Sequence, residues 1–264
     1  MTPSGLQKRS VISRESPELS NEIFDLVAEE VPIAVAYNGK THAVMMASPV
    51  ALKDFAVGFS LTEGTVDQLV DIKSIDIIEA KQGISIQVHI PANLVQRLSK
   101  RERSLSGRAG CGICGLTDIA AAVPQLGKLE PAAVPSHASI DKAAKTLQEK
   151  QTLQQACGGI HGAALCSAAG DVLLVREDIG RHNALDKLIG ASVRSNSKQP
   201  FKDDDFVLLS SRASHELVNK CVMAGVKSLV TISAASSLAI DVAQKSNLNL
   251  VGFVRGDRQL VYTN

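Results

Sequence analysis

The sequence predicts an α/β protein in which a smaller N-terminal α+β unit precedes a layered α/β domain, and three observations lead there. Beyond residue 160, apolar runs of strand length alternate with stretches of helical period, the pattern of a sheet with helices on both faces. Before residue 105, alternating strands in hairpin pairs flank a helix. Between the halves, a glycine-rich loop with two cysteines runs into a segment holding Pro131 and Pro135, a composition suited to a connection. The implied organisation is a disordered tail over 1–20, an N-terminal α+β domain over 21–105, a loop and linker over 106–136, and the α/β domain over 137–264.

Taken in order, residues 22–29 and 32–37 read as strands, and Asn38-Gly39 is a hairpin turn signal leading into a strand over 41–46. Ser48-Pro49 opens a helix whose Leu52, Phe55, Ala56 and Phe59 recur at helical spacing and bury one face. A second hairpin spans 72–79 and 84–90, with Ile84, Ile86, Val88 and Ile90 alternating with polar residues, and Pro91 closes it. A helix over 92–103 turns Leu94, Val95 and Leu98 inward and leads a basic end toward the loop. A short alanine-rich helix is expected over 117–126, and Ser139 is expected to cap a helix reaching residue 155. Strands over 163–167 and 172–176 follow around a Gly170-Asp171 turn, then a helix over 183–193. A strand over 206–209, a helix over 213–224, a strand over 228–232, a helix over 236–245 and a strand over 248–253 complete the chain. Ligands of such sheets bind where strands end and helices begin.

Length and composition narrow the class of function. With 264 residues and 45% hydrophobic content, the chain can bury a substantial core. A net charge of +1 argues against a general nucleic-acid-binding surface, so anion recognition has to be local. The polar N-terminus lacks the apolar centre of an export signal and no apolar run approaches membrane-span length, so a cytoplasmic protein without membrane association is expected. Five cysteines, an odd number, fit a reducing compartment where thiols are kept for chemistry.

That chemistry concentrates at G-R-A-G-C-G-I-C-G over 107–115, where Cys111 and Cys114 stand in a C-x-x-C spacing among glycines. A thiol reacts as thiolate, and nearby cations lower its pKa; Lys100, Arg101, Arg103 and Arg108 all precede Cys111. Two activatable sulfurs on such a loop suit disulfide exchange, metal binding or the carriage of a sulfur atom. As half of a structural zinc site the pair lacks a matching second half: Cys157 and His161 have a C-x3-H spacing, and Cys166 and Cys221 stand alone. A thioredoxin-type pair would follow a strand and open a helix, whereas the upstream segment reads as a basic helix. The zinc deaminase signature H-x-E followed by P-C-x-x-C is absent, since no proline precedes Cys111.

Three junctions in the second half gather groups that bind anions and bases. Ser210-Ser211-Arg212-Ala213-Ser214 and Ser233-Ala234-Ala235-Ser236-Ser237 each end a strand and open a helix, where N–H groups and hydroxyls favour phosphate or simply cap the helix. Arg212 tips the first toward ligand binding. The turn Phe253-Val254-Arg255-Gly256-Asp257-Arg258 offers an aromatic for stacking, arginines for phosphate and a carboxylate for a purine edge. His161 and His182, beside clustered carboxylates and arginines, are candidates for general bases, ligands or satisfied structural histidines.

Taken together, these motifs resemble the FdhD family of formate dehydrogenase accessory sulfurtransferases. The resemblance runs over nearly the whole chain: Glu63-Gly64, C-G-I-C, G-G-I-H-G-A-A, R-E-D-I-G-R-H-N-A-L-D-K-L-I-G, S-S-R-A-S and V-G-F-V-R. It implies a cytidine-deaminase-like fold and a homodimer. It also implies that sulfur from a cysteine desulfurase is accepted as a persulfide on the C-x-x-C loop. The acceptor is then the bis-molybdopterin guanine dinucleotide form of the molybdenum cofactor, destined for formate dehydrogenase. Cys111, nearest the cationic run, is expected to carry the sulfur and Cys114 to assist. Phe253, Val254, Arg255, Gly256, Asp257, Arg258, Ser211, Arg212, Ser233, His161 and His182 are the expected contacts to that cofactor, with no metal ion of the protein's own. The alternatives are a non-catalytic chaperone that binds and shields the cofactor, and a C-x-x-C thiol oxidoreductase.

Overall fold

The computed structural model describes residues 2–14, 20–105, 126–256 and 258–264. It opens on β1 (Leu6–Arg14) and β2 (Ser20–Ala28), which pair antiparallel from Leu6↔Ala28 to Arg14↔Ser20 and form a two-stranded sheet of their own. The tail expected to be disordered over 1–20 is therefore a strand over Leu6–Arg14. Its polar composition concealed it, because β1 is ordered by pairing with β2 rather than by one buried face.

A four-stranded sheet follows, with β3 (Val31–Tyr37), β4 (Lys40–Ala47), β5 (Ser74–Ala80) and β6 (Gly83–His89) in the order β4-β3-β6-β5. Asn38 and Gly39 both take positive φ at its first turn, as a two-residue hairpin favours. Alternate residues Ile33, Val35, Tyr37, Ile86 and Val88 face inward against α1 (Leu52–Thr62) and α2 (Ala92–Leu105), where Phe55, Phe59, Leu94 and Leu98 complete a core.

The large sheet contains β7 (His161–Cys166), β8 (Val172–Asp178), β9 (Phe206–Leu209), β10 (Ser228–Thr231), β11 (Asn249–Arg255) and β12 (Arg258–Thr263), in the order β12-β11-β10-β9-β7-β8. Strands β9, β10 and β11 are parallel, while β7, β8 and β12 join antiparallel, so the sheet is mixed. Both faces carry helices, as expected. Val207 and Leu209 meet α5 (Arg181–Ser195), α6 (His215–Met223) and α7 (Ser237–Lys245) in one core; Phe206 and Leu208 meet α3 (His137–Lys150) in the other. Burial on both sides explains the unbroken F-V-L-L of β9.

Helix α1 buries more than the one face its spacing suggested. Phe55 and Phe59 pack on the small sheet, whereas Val57 and Gly58 meet α5, so α1 is a middle layer shared by both halves. Three further expectations are corrected. The helix expected to be capped by Ser139 starts at His137, with Ser136 accepting from the Ser139 N–H at 3.1 Å, and it breaks at Gln151 before α4 (Thr152–Cys157). The helix expected from 213 starts at His215, because Ala213 is held in a bridge to Ala235. The chain also ends in a strand, β12, whose half-exposed R-Q-L-V-Y-T gave little alternation to read. Residues 126–136 carry neither helix nor strand and are strapped down by the side chains of Asn247 and Asn249, which donate to Leu129, Ala132 and Ala133 carbonyls. The helix expected over 117–126 lies outside the described residues but for Leu126.

Candidate functional site at the strand ends

The sheet order places β11, β10, β9 and β7 side by side with β7 antiparallel to β9, so the segments leaving the first three and the one entering β7 form one row, about 15 Å long at the usual spacing of roughly 4.8 Å. Backbone hydrogen bonds tie this row together. Gly162, next to His161, donates to the Ser210 hydroxyl at 2.9 Å and accepts from the Ser210 N–H at 3.0 Å. Ser233 N donates to Ser211 O at 3.3 Å, and Phe253 N donates to Ser233 O at 3.1 Å. Thus His161, Ser211, Arg212, Ser233 and Phe253, distant in sequence, are neighbours in space.

Each occupies its place for a local reason. Arg212 is exposed, whereas Ser211 is buried and donates its hydroxyl to the Arg212 carbonyl at 3.1 Å. Phe253 adopts φ 58°, the left-handed region that a bulky L residue rarely enters, at an irregularity of the β11–β12 pairing. The preceding Gly252 permits it: a Cβ there would lie 2.9 Å from the Tyr262 ring and 3.0 Å from Ser233 O. The Arg258 guanidinium lies over the Phe253 ring, 5.0 Å from its centroid, a cation–π arrangement. Val254 does not join them. Its side chain is buried in the core against α3, turned inward by the alternation of the strand. Gly256 lies at the turn with φ 56°. Asp257, the side chain of Arg255, Cys111 and Cys114 lie outside the described residues.

The long motif R-E-D-I-G-R-H-N-A-L-D-K-L-I-G joins the two halves of the protein. Asp178 is fully buried and accepts from Ser48 N, Gly180 N, the Asn183 amide and the Lys187 ammonium; Lys187 and Asn183 also donate to the Ser48 and Met46 carbonyls. Arg176 pairs with Asp54 of α1 at 2.8 Å, and Glu177 accepts from Leu153 N and Gln154 N at the start of α4. Asp186 accepts from Thr62 and Lys220. A carboxylate or ammonium withdrawn from water needs such partners, and here Ser48, Met46, Asp54 and Thr62 supply some of them from the other half of the chain.

His182 and Arg181 stand apart from that joint. His182 Nε2 faces Glu216 Oε2 of α6 at 2.9 Å, without the alignment of a hydrogen bond. Arg181 Nε, Ser214 Oγ and Asn219 Oδ1 are buried without a hydrogen-bond partner among the described residues. His161 is half-buried at the head of β7, opposite Asp178 of β8. Burial, with the positive charge of Arg181 and the neighbouring His182, holds His161 below the usual histidine pKa, against the opposing pull of Asp178. Both histidines thus lie near the row, but Glu216 was not legible as a partner. Its signal, an acidic residue in the first turn of a helix, is shared by ordinary helix starts.

Of the cysteines described, Cys166 and Cys221 are buried in the two cores. Burial pushes the Cys166 thiol up to about 12 and raises Cys221 as well, so neither supplies a thiolate near neutral pH. Among the described residues, no three histidine, cysteine or acidic side chains are grouped to hold a metal ion, and no helix is long and apolar enough to cross a membrane.

A mixed sheet covered by helices on both faces defines the class of fold, and comparison with known proteins defines the family. The model of the FdhD/NarQ family matches residues 28–264, and the chain belongs to that family. It is 43% identical to the sulfur carrier protein FdhD of Bordetella petrii, over 91% of this chain and 85% of that protein. The protein of the same name from Cupriavidus necator is 45% identical over 91% of this chain and 82% of its own length. A crystal structure from Desulfotalea psychrophila, named as that of a formate dehydrogenase accessory protein, superposes with a TM-score of 0.76 at 22% identity, over 98% of both chains. That last likeness bears on the fold alone.

Proposed function

We propose that this protein is a sulfur carrier for the maturation of formate dehydrogenase. It takes sulfur as a persulfide on Cys111 from a cysteine desulfurase and hands it to a bis-molybdopterin guanine dinucleotide molybdenum cofactor. The observation that carries the reading is the row of Ser211, Arg212, Ser233 and the Phe253–Arg258 pair, which offers a cation, an aromatic face and helix starts to a nucleotide-bearing anion. The relatives' shared name supports the sulfur chemistry. Cys166 and Cys221 are buried, and of the remaining cysteines Cys111 and Cys114 stand in a C-x-x-C pair whereas the half-buried Cys157 stands alone. The reading includes a cytoplasmic homodimer and a cytidine-deaminase-like layering of the second half.

Release of the sulfur draws its two electrons from the protein's own thiols, and a cellular dithiol then has to reduce the resulting disulfide before the next round. The Cys114 thiolate attacks the inner sulfur of Cys111–S–SH, the S–S bond breaks, and hydrosulfide leaves with the bonding electrons as a Cys111–Cys114 disulfide forms. Incubation with a cysteine desulfurase and cysteine, followed by intact mass spectrometry, tests the reading. A gain of one sulfur atom that Cys111→Ser with Cys114→Ser abolishes is expected. Full formate dehydrogenase maturation by that double variant would favour a chaperone that only binds the cofactor.

A further inference from the structure

Strands β1 and β2 make an arm of about 30 Å, from nine residues at roughly 3.3 Å each. Among the described residues its anchoring contacts lie near its base. Leu6 is buried, Glu29 N donates to Gly5 O at 2.8 Å, the Gln7 amide donates to Glu29, and β2 rests on α4. Further out it carries apolar side chains on both faces: Ile12 and Phe24, each 69% exposed, on one, and the directly paired Val11 and Ile23 on the other. A hairpin alone is marginal in water, and exposed edges and apolar groups call for a partner. The match to the family begins at residue 28, so the arm lies outside the part of the chain that defines the family.

The sequence of β1 selects what it pairs with. Lys8, Arg9 and Arg14 make it cationic, with no carboxylate. A second β1 would set cations against cations, and the edge strands β4 and β12 carry Lys40 and Arg258. On the edge strand β8, Arg176, Glu177 and Asp178 are already engaged inside the fold. The β2 of another copy is acidic, but pairing with it leaves a free β1 and a free β2 at the ends and continues without closing. The remaining edge is β5, which holds Asp76 and Glu79 but no lysine or arginine, with His89 of β6 3.7 Å from Asp76, and which exposes the consecutive Ile77 and Ile78, one to each face.

We propose that β1 of one copy adds antiparallel to β5 of a second copy, and reciprocally, extending each four-stranded sheet by the partner's arm. The register that sets Arg9 against Glu79 also sets Val11 against Ile77 and Ser10 against Ile78, and puts Arg14 diagonal to Asp76. Main-chain bonds supply the pairing, and the alternate side chains supply its specificity. This interface belongs to the homodimer of the proposed function but is independent of its sulfur chemistry.

Light scattering and sedimentation of the full chain test it, with circular dichroism to show that each variant is folded. The wild type is expected to be a dimer. Arg9→Glu and Glu79→Arg should each raise the dimer dissociation constant at least tenfold, and the two combined in one chain should restore it. Val11→Asp should give a folded monomer. A monomeric wild type, or dimers that persist unchanged through Val11→Asp and both charge reversals, would overturn the interface. Persulfide loading on Cys111, measured separately, would still judge the sulfur-carrier reading.

Discussion

Gly58 and Gly190 stand opposite each other where α1 crosses α5, and a Cβ on either would lie 1.8 Å from a backbone oxygen of the other helix, that of Asp186 or Asp54. No side chain fits there without parting the helices, and parting them would pull at every buried ion pair that spans the joint. Gly190→Ala and Gly58→Ala should therefore each cost about 3 kcal/mol through overpacking. For a chain of this size that is roughly 10 °C in melting temperature, read by calorimetry. An unchanged transition in both variants would deny the contact.

The Asp178–Lys187 pair offers a second measure of the same joint, since both side chains are fully buried. Lys187→Met leaves the Asp178 carboxylate with its neutral donors Ser48 N, Gly180 N and the Asn183 amide but no counter-charge. Removing one partner of a buried pair costs about 3–5 kcal/mol. Urea denaturation should show a loss of that order in Lys187→Met, and a smaller one when Asp178→Asn is added.

These contacts mark the limit of what the chain's sequence makes legible. F-V-L-L and the Ser236 cap of α7 were readable because strand burial and capping are local rules. That Ser211, Arg212 and Ser233 follow the ends of β9 and β10 was readable from the alternation of strand and helix patterns. The R-E-D-I-G-R-H-N run was conspicuous as a motif, yet its main task, joining α1 and Ser48 to α5, depends on residues more than 100 positions away. The His182–Glu216 contact escaped because it joins two separate helices, and β1 because its order comes from its pairing with β2.

His161 gives a pH signature. Its folded pKa is lowered, chiefly by burial, so below the unfolded value of about 6.5 the unfolded chain binds more protons than the folded one. Its neutral form supports the fold above that pH, and stability falls as pH drops from about 6.5 toward the lowered value, with no further loss below it. Denaturant midpoints at pH 8 and pH 5 should show a larger acid-induced loss in the wild type than in His161→Gln. Equal losses would mean that His161 titrates as it does in water.

Cysteine reactivity should divide sharply. Iodoacetamide at pH 8 is expected to alkylate Cys111, Cys114 and the half-buried Cys157, and to reach Cys166 and Cys221 only after unfolding, because burial keeps those two protonated. Peptide mapping of the native and the urea-treated protein reads this directly. Labelling of Cys166 in the native state would contradict its place in the core.

The row at the strand ends makes the last prediction, which concerns guanine nucleotides. Phe253 is held at a positive φ with Arg258 over one face of its ring, so aromatic and cation are placed together before any ligand arrives. A base can stack on the ring while a guanidinium pairs with phosphate, and Arg212 at the neighbouring junction extends the cationic reach. Asp257 supplies a carboxylate that can accept from the N1 and N2 hydrogens of guanine, donors that adenine does not present. Calorimetry with guanosine diphosphate should therefore show binding that weakens about tenfold in Arg258→Ala, the equivalent of about 1.4 kcal/mol. Phe253→Ala should weaken it by a similar factor, and Asp257→Ala should narrow the preference for guanosine over adenosine diphosphate. If adenosine diphosphate binds as tightly as guanosine diphosphate to the wild type, or Arg258→Ala changes nothing, the nucleotide does not sit at this turn.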